Sequence, residues 1–172
     1  MNYIDTCCLI SFIDKKDRMR KSTRTDTVRN IESVFGKSNP RFKIPVPALG
    51  ETVHKIHDRG WPMETEMDAH SELIRLMRNG FIEPQYIQYG EDVSRFLHMV
   101  MSRDLDDERD RVSPMDALIT SMAVADPGCR VLYTTDKSLY SNFMLMDLVQ
   151  GFRDEKEYDP MQIIDIRTVM NR

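Results

Sequence analysis

The chain has 172 residues, 41% of them hydrophobic and 30% charged, which supports one domain with a real core and excludes a disordered chain. Its formal charge of −4 and pI near 5.6 exclude a globally basic nucleic-acid binder, although charge segregated on one face leaves a nuclease open. Cys7, Cys8 and Cys129 form no disulfide framework, and no stretch approaches the roughly 18 apolar residues of a membrane span, so a cytoplasmic protein with no membrane partner is expected.

Tyr3 to Asp5 reads as a short strand, followed by a helix over Thr6 to Ile13 in which Cys7, Cys8 and Leu9 are buried. Asp14 to Arg24 is polar and basic, and Thr25 to Phe35 has helical spacing in Val28, Ile31, Val34 and Phe35. Gly36 to Pro40 marks a turn, not the end of a phosphate-binding loop, because Ile31 stands where such a loop needs glycine. Phe42 to Val46 reads as a buried strand, and Pro47 suits the first residue of a helix reaching about Asp58.

Gly60-Trp61-Pro62 breaks the chain before an amphipathic helix over Met63 to Arg78, which Asn79-Gly80 ends. The methionines Met63, Met67 and Met77 fall at helical spacing and read as core. Phe81 to Gln88 reads as a strand or extended segment, and Pro84 inside it suits an edge position or an irregular strand. Further helices are expected over Glu91 to Met101, from Ser113-Pro114 to Ala125, and over Ser138 to Leu148. Arg130 to Tyr133 and Gln162 to Ile166 supply the last strands. Strands alternating with helices predict an α/β fold: a three-layer α/β/α sandwich with a mostly parallel central sheet, in a single domain over residues 1–172.

Four acidic segments carry the functional signal: Tyr3-Ile4-Asp5-Thr6, Pro47-Ala48-Leu49-Gly50-Glu51, Ser113-Pro114-Met115-Asp116-Ala117-Leu118-Ile119 and Leu132-Tyr133-Thr134-Thr135-Asp136. Each places a carboxylate at a change from strand to helix, and an open α/β sheet gathers such junctions at one pole. Taken singly, each acid suits a helix start, as a cap or as a partner of the dipole. Four independent caps do not explain why every junction carries one. Carboxylates brought together repel unless a cation lies between them, and oxygen ligands suit Mg²⁺ or Mn²⁺, which serve phosphodiester hydrolysis.

In this order and setting the four segments resemble the PIN-domain nucleases, nearest to the VapC-type toxin ribonucleases. The resemblance rests on Ile4-Asp5-Thr6 with Leu9-Ile10, on Pro47 to Glu51, on Asp116 to Ile119 with Ala123, and on Leu132 to Asp136, and it spans nearly the whole chain. It implies a PIN-like parallel sheet, metal-dependent endoribonuclease activity on an RNA substrate, and frequent homodimerisation. In the toxins it also implies an antitoxin partner. Carried over by position, Asp5, Glu51, Asp116 and Asp136 match the family's acidic quartet, which holds the Mg²⁺ or Mn²⁺. Thr6, Thr134 and Thr135 stand where hydroxyls would orient carboxylates or water. Cys7 departs from the family's usual Ser or Asn, and a thiol is a poorer partner for water or a hard metal. The chain also exceeds the compact toxins around Trp61 to Asn79 and Arg103 to Arg111.

The basic residues Lys15, Lys16, Arg18, Arg20 and Lys21 follow the first helix and are candidates for nucleic-acid backbone contact. His54 and His57 read as a surface or core-edge pair, without a Cys or third His nearby for a metal. Arg103 to Arg111 reads as a solvated loop or helix end of mixed charge, with an accessory metal or partner contact near Asp116 as the lesser alternative. Two alternatives to a ribonuclease remain open at this point: a non-catalytic PIN-fold protein-interaction module, and a structure-specific DNA nuclease with the same acids.

Overall fold

The computed structural model describes residues 1–14, 42–102 and 111–171. The helix expected over Thr25 to Phe35, the turn after it, the basic residues Lys15 to Lys21 and the body of the Arg103 to Arg111 run lie outside the described residues.

Five strands form one all-parallel sheet: β1 (Asn2–Ile4), β2 (Phe42–Pro45), β3 (Ile82–Gln85), β4 (Val131–Thr134) and β5 (Gln162–Asp165), in the order β3-β2-β1-β4-β5. Asn2 to Ile4 pair in register with Val131 to Tyr133. The order reverses beside β1: the chain runs outward through β2 and β3, then returns to place β4 on the other side. Such a reversal opens a crevice at the carboxyl ends of the two strands that flank it, here β1 and β4.

Helices cover both faces of the sheet. They are α1 (Thr6–Ile13), α2 (Val46–Asp58), α3 (Met63–Arg78), α4 (Gly90–Met101), α5 (Pro114–Ala125), α6 (Lys137–Tyr140) and α7 (Phe143–Glu155), and a 3₁₀ turn spans Ile166–Asn171. The period-two alternation of buried strands divides the core. Ile4, Ile44 and Tyr133 face α1, α2 and α3 in one apolar cluster. Tyr3, Leu132 and Ile163 face α4, α5 and α7 in the other. This is the expected α/β/α layering, with every strand parallel. Pro84 sits in β3 at the sheet edge, where its missing N–H leaves no inner ladder bond unmade.

Four expectations need correction. The helix expected over Ser138 to Leu148 is two helices, because Ser141 ends α6 and the Asn142 side chain accepts from Leu145 N at 2.9 Å to start α7. Met63 and Met67 are not core: they are 78% and 60% exposed, while Ala69, Leu73 and Leu76 bury the other side of α3. Cys7 is half-buried, unlike Cys8 and Leu9. Asp116 does not follow a strand: α5 begins after α4 and an intervening segment, and no strand directly precedes it among the described residues.

One buried cation holds the pole opposite the acids. Arg153 is 0% exposed and donates to the carbonyls of Val124, Asp126, Pro127, Cys129 and Asp159 at 2.6–3.3 Å. Its guanidinium thereby satisfies the carbonyls that α5 and the following turn leave open.

Candidate metal centre

Asp5 occupies the residue between β1 and α1. The position is that of a helix cap, but its side chain makes no capping bond. Its backbone is fixed instead by Asp5 N donating to Tyr133 O at 3.0 Å, which extends the β1–β4 ladder to the crevice. The side chain is fully buried. Thr134 Oγ1 donates to Asp5 Oδ2 at 2.8 Å, and Oδ1 has no partner. Burial pushes the Asp5 carboxyl up to about 6, against the Thr134 hydrogen bond, and the nearby Asp116 and Glu51 charges add to the rise.

Glu51 stands near the start of α2. Thr6 Oγ1 lies 2.8 Å from Glu51 Oε2 and 3.2 Å from Ala48 O, so its single proton serves the shorter contact to Glu51. The Lys55 ammonium, one turn on, lies 2.7 Å from Glu51 Oε1. Burial lowers the Lys55 pKa, but Glu51, Cys7 and Asp5 more than offset this and hold it above the ordinary value.

Asp116 lies in the first turn of α5. Ser113 caps that helix, accepting from Asp116 N at 3.2 Å and donating to Asp116 Oδ2 at 2.6 Å. Partial burial raises the Asp116 carboxyl in spite of Ser113, and Asp136 and Glu51 raise it further. Asp136 is the cap of α6, accepting from Ser138 N at 2.8 Å. Its backbone N donates to Thr134 Oγ1 at 2.9 Å.

Thr134 therefore links Asp5 to Asp136, and Thr6 links α1 to Glu51. Asp5 senses Asp116 and Glu51, and Asp116 senses Asp136 and Glu51. The Cys7 thiol feels three of the acids: burial first, then Asp5, Asp116 and Asp136, push it up to about 12. It is a protonated thiol at neutral pH, not a thiolate ligand. Thr135 contributes its backbone, its carbonyl accepting from Arg167 Nη2 at 3.2 Å.

A second buried acid shows what a purely structural carboxylate looks like in this fold. Asp126, at the other pole, accepts from Lys43 Nζ at 2.7 Å, Tyr3 OH at 2.9 Å and Gly128 N at 2.8 Å. Burial raises its pKa, but Lys43 and these donors outweigh it and hold the carboxyl below the ordinary value. Asp5 is buried as deeply, and only the Thr134 hydroxyl and the Thr6 backbone favour its charge, with no cation paired to it among the described residues.

The donor set suits a hard divalent cation: carboxylate oxygens, one of them buried and unpartnered, with no thiolate. Among the described residues, no group of three or more His, Cys, Asp or Glu stands close enough to enclose an ion. A Mg²⁺ ion is ordinarily held by only one or two carboxylates and keeps several waters, so the set fits such an ion at Asp5 with one neighbour.

Sequence reasoning missed Lys55 and Arg153. Lys55 had a signal, the Glu51–Lys55 spacing of an i,i+4 ion pair. Arg153 had none, since its carbonyl partners lie far away in sequence. His54 and His57 are exposed, bonded to Asp58 at 3.0 Å and Glu66 at 3.1 Å. No described helix is long and apolar enough to cross a membrane. Comparison of the chain with protein-family models, with curated proteins and with solved structures finds no match, so the arrangement of these side chains carries the functional reading by itself.

Proposed function

We propose that this protein is a metal-dependent endoribonuclease that hydrolyses RNA phosphodiester bonds. The observation that carries the reading is Asp5, a fully buried carboxylate with an unpartnered oxygen among other acids, at the point where the strand order reverses. A structural acid in that position would have a cation or several donors, as Asp126 does.

Asp5 and Asp116 would hold Mg²⁺ or Mn²⁺, with Glu51 and Asp136 on either side. When bound, such an ion supplies positive charge to the phosphoryl oxygens and lowers the pKa of water. The protein's own groups do the rest. Thr134 fixes the Asp5 rotamer, so that Oδ1 is the free oxygen. Ser113 fixes the Asp116 carboxylate in the same way. Glu51, held by Thr6 and Lys55, is the group placed to accept a proton from an attacking water. Lys55 sits beside the acids and offers a positive charge to an incoming phosphate. Lys15, Lys16, Arg18, Arg20 and Lys21, which follow α1 in sequence, would hold the nucleic-acid backbone.

The test is incubation of the pure protein with a mixed RNA pool in Mg²⁺, Mn²⁺ or EDTA, followed by mapping of cut ends, with Asp116→Asn as control. Metal-dependent cleavage absent from the variant is the expected result. Cleavage of structured DNA and not RNA would assign the same site to a DNA nuclease. A toxin role adds an antitoxin that blocks cleavage, for which co-purification from the source cell is the measurement.

A second reading has its own observation. The absence of an enclosing three-ligand group among the described residues favours a non-catalytic interaction module on the same fold. Titration with Mn²⁺ separates the two: saturable binding lost in Asp5→Asn supports the nuclease, and no binding supports the module.

A further inference from the structure

We propose that the cleft lined by the segment joining β3 to α4 holds one unpaired base of the RNA, adenine by preference, beside the point of cleavage. The proposal rests on the nuclease reading and names what that reading leaves open, the base the site selects. The cleft, about 180 Å³ and open to solvent, is lined by Tyr3, Gln85, Tyr86, Tyr89 and Met122 among others. Sites for drug-sized ligands run to roughly 300–1,000 Å³, so this one suits a single flat ring and not a whole nucleotide. It is narrow, but its rim yields. Tyr86 and Tyr89 are 72% and 38% exposed, and neither hydroxyl makes a hydrogen bond among the described residues.

Three lengths on the fold set the cleft beside the acids. Pro45 pairs with Gln85, and the β1–β2 register, continued by two residues, puts Asp5 level with Pro45. Gln85 is thus two strand spacings from Asp5, about 10 Å. Tyr3 stands two residues before Asp5 on the same side of the extended chain, about 7 Å away. Met122 lies about 9 Å along α5 from Asp116. A strand whose scissile phosphate meets Asp5 and Asp116 therefore brings a neighbouring base to the cleft.

The chemistry of the lining selects the occupant. Gln85 is buried, and among the described residues its side chain makes one hydrogen bond, Nε2 donating to Tyr86 O at 3.1 Å. Its amide oxygen and second amide hydrogen are left unmatched. That acceptor and donor side by side are what adenine N6 and N7 require. Asp126, at the inner end, is already matched by Lys43, Tyr3 and Gly128. The rings of Tyr86 and Tyr89 offer faces on which an unstacked base lies, as proteins that read single-stranded RNA ordinarily provide.

The experiment pairs cut-end mapping in Mg²⁺ with fluorescence anisotropy of short labelled oligoadenylate and oligouridylate strands in EDTA. Wild type should bind oligoadenylate about tenfold more tightly and cut at a fixed step from an adenine. Tyr86→Ala should weaken oligoadenylate binding by about tenfold, and Tyr86→Phe, which keeps the ring, should bind like wild type. Gln85→Leu should bind the two strands equally and cut without regard to base. Tyr86 is exposed, so its variants test the cleft even where Gln85→Leu fails to fold. RNA cleavage with no adenine preference, or binding indifferent to Tyr86→Ala, overturns this proposal and leaves the nuclease standing. Equal binding of a duplex of the same sequence also overturns it, because a paired and stacked base cannot enter. No RNA cleavage in any metal removes the nuclease reading and the base site with it.

Discussion

The hydroxyl of Thr134 donates to Asp5 Oδ2 at 2.8 Å and leaves the other oxygen of the same buried carboxylate without a partner. A neutral Asp5 leaves one polar group unpartnered in that setting, a smaller cost than a buried charge. An ionised one lacks compensation, and its carboxyl is accordingly pushed up to about 6 from an ordinary 3.8. The fold therefore holds a destabilising charge at neutral pH where the proposed reaction needs an open ligand.

The pH dependence of stability follows in EDTA. Below about 3.8 both folded and unfolded chains keep the Asp5 proton, and the residue costs nothing. As pH rises past 3.8 the unfolded chain loses the proton first, so this group's contribution falls until the folded pKa near 6 is passed. Above that the deficit is constant, roughly 3 kcal/mol for a shift of this size. Asp5→Asn should therefore be more stable than wild type at pH 8 by about 1–3 kcal/mol, the lower end allowing for an unpartnered amide. The gain should vanish at pH 3.5. Urea midpoints at the two pH values measure it, and an equal difference at both would remove the buried-charge account.

Asp116→Asn keeps the side chain's shape and its bond with Ser113 but removes a charge that Asp136 and Glu51 repel. RNA cleavage in Mg²⁺ should fall about 100-fold or more, while the melting temperature in EDTA holds or rises. Cleavage rate and melting temperature are to be read on the same preparation. Unchanged cleavage at limiting Mg²⁺ would take Asp116 out of the site.

Lys55 is a positive charge already present among the acids, 2.7 Å from Glu51. An ammonium there competes electrostatically with an added cation. Lys55→Met should tighten Mn²⁺ binding by about threefold to tenfold, measured by calorimetry. Cleavage should fall nonetheless if Lys55 also meets the substrate phosphate. Weaker Mn²⁺ binding in the variant would mean that Lys55 positions Glu51 for the ion rather than opposing it.

The parts of the fold that were legible in the chain are those set by local pattern. Apolar runs such as Phe42 to Val46 gave strands, and Pro84 gave the sheet edge. Ser113-Pro114 gave the start of α5, where the hydroxyl both caps the helix and holds Asp116. The misreadings have a common cause: periodicity tells which residues share a face, not what that face meets. Met63 and Met67 line one side of α3, and only the tertiary fold shows that the core took the side of Leu73 and Leu76. The break at Asn142 was hidden because the apolar spacing continues through it. Asp5 was legible as an acid beside a strand, but its unpartnered oxygen depends on Thr134, far along the chain.

Arg153 tests how firmly the far end of the molecule is fixed. Its guanidinium is wholly buried, and burial holds its pKa below the ordinary value despite nearby acids such as Asp126. It answers four backbone carbonyls around the end of α5 and the turn into β4, and that of Asp159 ahead of β5. The contacts to Val124, Asp126 and Cys129 are buried, so removal of the cation leaves those carbonyls unsatisfied while saving the desolvation of the charge. Arg153→Met fills similar space and supplies no donor. It should cost about 3–5 kcal/mol in urea denaturation, the usual loss when one side of a buried polar cluster is deleted. Arg153→Lys should recover part of that, because an ammonium offers three donors but cannot span the fork of a guanidinium. Val124, Asp126 and Cys129 should lose amide-exchange protection in Arg153→Met before β1 does. If Arg153→Met unfolds at the wild-type urea concentration, the carbonyls have found other partners and the buried arginine is not what closes this end of the sheet.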